Sequence, residues 1–135
     1  MKLIDTNIIL YSLGREHPLK EPCRRLIAKI TSGEIAANID VEILQEVLYI
    51  YAHRNERVKG IAACRYLLDI FPNPFSVSKS EISTAISFMD KYPSLVSRDA
   101  IHASVVVNNK LKGIISEDSD YDMIKGIKRF KCRDF

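Results

Sequence analysis

Four acidic residues, Asp5, Glu46, Asp99 and Asp118, lie in four separate segments, each placed where a folded segment could carry it toward a shared cleft. Asp5 closes the apolar run Leu3-Ile4 and is followed closely by Ile8-Ile9-Leu10, so it is held between two stretches that belong inside. A carboxylate in such a place needs a partner. Asp118 repeats the arrangement, because Ile114-Ile115-Ser116 runs straight into Glu117-Asp118-Ser119-Asp120-Tyr121-Asp122. In an open parallel sheet, ligands collect beyond the carboxyl ends of the strands, and adjacent strands would set Asp118 beside Asp5 there. The plainer alternatives are a helix cap for Asp5 and a solvated turn for the Asp118 segment.

Four ionised carboxylates in one pocket repel, so their pKa values rise and the fold loses stability unless a counter-ion is present. A hard divalent cation resolves the conflict, and an oxygen-only donor set without clustered His or Cys favours Mg²⁺ or Mn²⁺ over zinc. One such ion, or two about 3.5–4 Å apart, activates a water and stabilises the charge of in-line attack on a phosphodiester. Asn7 and Ser116 would steady carboxylates and waters around it. No Ser-His-Asp or Cys-His pairing and no Walker-type glycine loop offers competing chemistry. An aspartyl-nucleophile phosphatase would want a second Asp two residues after the first, where this chain has Asn7.

The elements that must position these acids can be read in order. Leu3-Ile4 reads as a strand, Asn7 to Leu13 as a short helix stopped by Gly14, and Arg15 to Pro18 as a turn in which His17 is loop. A second helix spans Cys23 to Ile30, and Glu34 to Ile39 reads as a second strand. The helix Val41 to His53 carries both Glu42 and Glu46. At about 100° per residue, Glu46 lies about 40° from Ile50 at the border of the apolar stripe, and Glu42 falls nearly opposite it. Glu46 is therefore the better candidate for a cleft. Another amphipathic helix covers Val58 to Ile70, Val77 can be a brief strand, and Ser78 with Glu81 forms a capping-box pattern for the helix that follows. Ser97 suits the N-cap of a helix reaching about Asn109, which puts Asp99 in its first turn. Ala100 and Ala103 let that helix approach the sheet closely. His102 reads as a packed, hydrogen-bonded histidine rather than a metal ligand. The tail from Lys125 reads as a last helical turn or an edge strand with a basic outer face.

The 135 residues make one domain, 1–135, with 47% hydrophobic and 27% charged residues and a net charge of +3. That charge permits a polyanionic partner without requiring one. Arg15, Arg24, Arg54, Lys125 and Arg129 are the candidates for phosphate contacts at the flanks of an acidic cleft. Cys23, Cys64 and Cys132 are scattered and odd in number, which argues for buried thiols in a reducing compartment and against a disulfide framework. No stretch is long and apolar enough for a membrane span and no signal-peptide pattern opens the chain, so a cytoplasmic location is expected.

Leu3-Ile4-Asp5-Thr6-Asn7, Leu44-Gln45-Glu46-Val47-Leu48, Arg98-Asp99-Ala100-Ile101-His102-Ala103 and Ile114 through Tyr121 resemble, in order and spacing, the PIN-domain ribonucleases. The resemblance covers essentially the whole chain, and length and short tail look most like the VapC toxins of toxin–antitoxin pairs. It implies a three-layer α/β/α sandwich with a central parallel sheet, Mg²⁺- or Mn²⁺-dependent endonuclease action on RNA, a homodimer, and a cognate antitoxin that covers the site. Asp5, Glu46, Asp99 and Asp118 match the family's acidic residues, Asp120 an auxiliary acid near the metal, and Thr6, Asn7 and Ser116 polar supports. The acid-rich segment after Ser116 leaves both Asp118 and Asp120 as the fourth ligand. The alternative is a PIN-like RNA- or partner-binding module with little turnover.

Overall fold

A computed structural model describes residues 1–135. Four short parallel strands, β1 (Lys2–Ile4), β2 (Ala37–Asn38), β3 (Ile114–Ile115) and β4 (Arg129–Phe130), form one sheet in the order β2-β1-β3-β4. Six helices complete the chain: α1 (Thr6–Leu13), α2 (Lys20–Thr31), α3 (Val41–His53), α4 (Arg57–Ile70), α5 (Lys79–Lys91) and α6 (Ser97–Asn108). Single 3₁₀ turns cover Ser119–Met123 and Cys132–Asp134.

Successive strand residues point to opposite faces, and here the alternation divides the molecule into layers. Ile4 and Ile115 join a core with Ile8, Leu26, Val47 and Leu67, residues drawn from α1 to α4. Leu3 and Ile114 face the other way, onto Ala85, Ala100, Ala103 and Val105 of α5 and α6. A sheet buried on both faces reads as continuous apolar pairs, which is why the fully buried residues of β1 and β3 are Leu3-Ile4 and Ile114-Ile115, with Lys2 at the half-buried start of β1. The result is the expected α/β/α sandwich.

The register fixes the site. Leu3 pairs with Ile114 and Ile4 with Ile115, so the next residues, Asp5 and Ser116, leave the sheet side by side. Close approach of β3 and β4 depends on Gly113, whose φ of +148° and 2.2 Å gap from a notional Cβ to the Lys128 carbonyl exclude any side chain.

Several local expectations need correction. The second strand is shorter than Glu34–Ile39. Val77 lies in no strand; Phe75 instead makes a single parallel bridge with Asp40. The second helix starts at Lys20, since Pro22 in its first turn lacks only an N–H that would go unpaired there. Val96, not Ser97, is the N-cap of α6, and no side chain caps it. The tail forms edge strand β4 and then a 3₁₀ turn. The Ser78–Glu81 capping box is present. All three cysteines are buried and unpaired, and no helix is long and apolar enough to cross a membrane.

Candidate active site

Asp5 is both a helix cap and part of a buried cluster, so the two readings of it are not exclusive. Its Oδ1 accepts the Thr6 N–H at 2.8 Å at the start of α1, and its Oδ2 accepts the Ser116 hydroxyl at 2.6 Å. Ser116 is fully buried and its Oγ also accepts from Asn7 Nδ2 at 3.1 Å and from the Asp118 N–H at 3.0 Å. One donor and two acceptor sites are thereby all used. A single hydroxyl thus ties β1, α1 and the segment after β3 together. Asn7 reinforces that segment by accepting the Glu117 N–H at 3.4 Å.

Beyond Ser116 the chain turns through Asp118, which caps the 3₁₀ turn by accepting the Asp120 N–H at 2.9 Å. This turn brings Asp118 and Asp120 to Asp99, in the first turn of α6, and carboxylate oxygens of the three lie within 4.8 Å of one another. Burial, then the charges of Asp5 and Asp118, push the Asp99 carboxyl up to about 6, while a hydrogen bond from the Tyr121 hydroxyl at 3.2 Å opposes the rise. Burial likewise raises Asp5, opposed first by the charge of His102. Burial is the main cause of both shifts, and at Asp99 the neighbouring carboxylates are the next.

Glu46 approaches from the other side. It is buried, as the helical wheel of α3 indicates, whereas Glu42 is half-buried. Glu42 is less remote than the wheel implies, since partial burial and then the Glu46 charge raise its carboxyl. Glu46 Oε1 lies 2.7 Å from His102 Nε2, and His102 Nδ1 lies 2.7 Å from Oδ2 of Asp40. Burial works against a charged ring at His102, but the Asp40 charge, hydrogen bonds to Asp40 and Glu46 and the Asp5 charge hold it well above the ordinary histidine range. Both ring nitrogens therefore donate. Asp40, fully buried, uses its other oxygen to cap α3 through the Ile43 N–H at 3.0 Å. His102 Nε2 is also 3.9 Å from Asp5 Oδ1, and Arg98 Nη1 is 3.9 Å from Glu46 Oε2.

Sequence reading missed Asp40. Its place just before an apolar helix was a visible N-cap signal, but its second bond, to a histidine 62 positions away, has no local signature. Tyr121 was likewise not singled out, although it is fully buried with its hydroxyl on Asp99.

Asp99, Asp118 and Asp120 are brought together, with Asp5 joined to them through Ser116 and Glu46 joined to Asp5 through His102. Against these five carboxylates and Asp40 stand His102, the more distant Arg98 and, near Asp118, Arg129, whose guanidinium Asp122 already occupies. The donors are all oxygens, and the Thr6 hydroxyl beside Asp5 is the one buried side-chain polar atom without a partner. Such a set fits a hard divalent cation.

The basic candidates differ in availability. Arg129 grips both Asp122 oxygens, at 2.8 and 2.9 Å, and donates to the Ser116 carbonyl at 3.2 Å, so its guanidinium is occupied in holding the acid-bearing turn against β4. Arg24 lies 3.6 Å from Glu21, and Lys125 is exposed. Arg15 and Arg54 share the wall of a cavity with Asn7.

A family model described as the PIN domain matches residues 2–127. Ribonuclease VapC7 of Mycobacterium tuberculosis is 31% identical over 119 residues, 87% of this chain and 82% of that protein. The fold is shared with VapBC2 of Rickettsia felis, a complex solved with a DNA fragment from its promoter, at a TM-score of 0.74 and 12% identity over 96% of this chain and 97% of that one. It is also shared with a toxin–antitoxin complex from Klebsiella pneumoniae, at 0.67 and 20% identity over 95% and 96%.

Proposed function

The chain belongs to the PIN-domain family, and on that premise we propose that it is a divalent-metal-dependent endoribonuclease, the toxin of a toxin–antitoxin pair. The observation that carries the reading is the convergence of Asp99, Asp118 and Asp120 oxygens within 4.8 Å, beside Asp5, in a relative of a named ribonuclease. Asp5, Asp99 and Asp118 would hold Mg²⁺ or Mn²⁺, with Asp120 at the exposed rim and Glu46 on the far side of Asp5. When bound, the metal supplies a polarised water and neutralises charge on the phosphate under attack.

The chain's own residues do the positioning. Ser116 presents Asp5 in one rotamer, and Asn7 and the Asp118 N–H keep that hydroxyl aimed. His102 holds Oε1 of Glu46 and leaves Oε2 to orient the attacking water. Tyr121 steadies Asp99 while remaining neutral, since burial and then the Asp5 and Asp99 charges raise its hydroxyl well above the ordinary tyrosine range.

An acidic cleft of this kind calls for an antitoxin that covers it, in the cytoplasm where RNA and antitoxin are made. A homodimer belongs to the same reading; Ile82 and Ile86, one turn apart on α5 and 42% and 63% exposed, give it an apolar strip to close on.

The test is cleavage of total RNA with Mg²⁺ or Mn²⁺ added. Wild-type protein should cut, excess EDTA should stop it, and Asp5→Asn should abolish cleavage while circular dichroism remains native. Undiminished cutting by Asp5→Asn, or cutting that persists in EDTA, refutes the reading.

A further inference from the structure

Beside the carboxylate centre lies a cavity of about 360 Å³ whose walls include Asn7, Tyr11, Gly14, Arg15, His17 and Arg54. We propose that it is a subsite for one unpaired nucleotide of an RNA strand flanking the cut phosphate, with Arg15 and Arg54 on its phosphate and the Tyr11–His17 pair under its base. The assignment rests on the nuclease reading above.

Continuity with the centre is the first support. Asn7 is a wall of the cavity and at the same time donates to Ser116 Oγ, the hydroxyl bonded to Asp5. Arg54, at the C-cap of α3, follows Glu46 by eight residues, or about 12 Å along the axis at 1.5 Å per residue. The cavity thus borders Asn7, the residue that supports the hydroxyl on Asp5, and runs along α1 to the C-terminal end of α3.

Charge is the second. Two acids stand at the rim of this region, Glu16 and Glu56, and each already has a lysine, Lys20 at 3.4 Å and Lys59 at 3.6 Å. Arg15 and Arg54 have no carboxylate within ion-pair distance and both are exposed. Two unpaired guanidiniums on one wall are a phosphate-binding arrangement.

The third is the aromatic pair. The Tyr11 and His17 ring centroids lie 4.6 Å apart at 32°, and His17 Nδ1 accepts the Leu19 N–H at 3.1 Å, which fixes the exposed ring. A fixed ring over a second ring is a stacking platform, and only an unpaired base can reach one. The volume falls within the range of about 300–1,000 Å³ for small-ligand pockets. A larger hollow of about 860 Å³ shares Gly14, Arg15 and Arg54 and continues toward Tyr66, giving the strand a way onward.

The test measures the affinity of a short fluorescein-labelled single-stranded RNA by anisotropy across a KCl series, with Ca²⁺ present in place of Mg²⁺ to limit cutting. Arg15→Ala with Arg54→Ala should weaken binding at least tenfold and flatten the slope of log K against log salt by about 0.7, for the one phosphate the pair holds. Arg15→Lys with Arg54→Lys should keep the slope. His17→Ala should weaken binding about five- to a hundredfold with the slope unchanged. Calorimetric Mn²⁺ binding should match wild type in every variant, which reports an intact carboxylate centre. If the double alanine variant binds Mn²⁺ normally and keeps wild-type RNA affinity and slope, the subsite is refuted; with wild-type cleavage intact, the nuclease reading then stands alone. A wild-type protein that neither binds nor cuts RNA removes both. Loss of affinity for a polyglutamate peptide with RNA affinity unchanged reassigns the cavity to a protein partner and also overturns the proposal.

Discussion

His102 Nε2 lies 2.7 Å from Glu46 Oε1, while the same ring binds Asp40 at 2.7 Å, so a buried imidazolium joins two buried carboxylates from the start and the second turn of α3. Removing it leaves two acids without their cation. His102→Ala should therefore cost about 3–5 kcal/mol in urea unfolding, the range for breaking a buried ion pair from one side. A loss under about 1 kcal/mol would show that the ring is not charged.

Asp99 gives a pH dependence with a definite sign. Its carboxyl is raised in the fold to about 6 from 3.8, so the metal-free protein is favoured while Asp99 is protonated and loses stability as pH rises from about 4 through 6. Divalent metal requires the ionised form, so Mn²⁺ affinity should fall as pH drops below about 6 and binding there should release protons. Asp99→Asn should stabilise the metal-free protein by about 1 kcal/mol after allowance for solvent screening. Melting curves between pH 5 and 7.5, with and without Mn²⁺, measure both effects. A metal-free melting temperature that climbs across this window would contradict the assignment.

Arg129 separates positioning from phosphate contact. Its fork on Asp122 and the Ser116 carbonyl holds the turn that carries Asp118 and Asp120. Arg129→Ala should weaken Mn²⁺ binding about 10–100-fold, as loss of an outer support does, and Arg129→Lys should not restore it, because a single ammonium lacks the planar fork. The salt dependence of RNA binding should be unchanged. A slope reduced by about 0.7 in Arg129→Ala would place this guanidinium on a phosphate instead.

The α5 cap tests the scaffold away from the chemistry. Glu81 accepts from the Ser78 hydroxyl at 2.6 Å and from its N–H at 2.8 Å, and these bonds lower its carboxyl from 4.5 to about 2. The contribution is present above pH 4.5 and fades as pH falls toward 2. Ser78→Ala should cost about 1 kcal/mol at neutral pH, with RNA cleavage per folded molecule unaltered. An equal cost at pH 2.5 would argue against the Glu81 bond as its source.

Much of this architecture was legible because its signals are local. Apolar pairs that end in Asp5 and just short of Asp118 marked strand ends, the wheel of α3 chose Glu46 over Glu42, and the Ser78–Glu81 spacing announced a cap that is present. What escaped is what joins distant segments. Asp40 looked like nothing more than the residue before a helix, yet its second oxygen decides the charge on His102. Arg129 was a plausible phosphate contact by charge alone, and only the turn of the chain back past Ser116 shows its guanidinium engaged. Val77 had strand propensity, but the sheet ends at β2 and Phe75 makes only one bridge beyond it.

Strand order also sets a timetable for synthesis. β1 is made first, but its neighbour β3 comes more than a hundred residues later and brings Ser116, Asp118 and Asp120 with it. A ribosome-bound chain ending before Ile114 has Asp5, Glu46 and Asp99 but no hydroxyl to aim Asp5 and no turn to complete the acidic group. Such arrested chains should cut no RNA, including that of the ribosome making them, and cutting by them would show that the centre can assemble without β3.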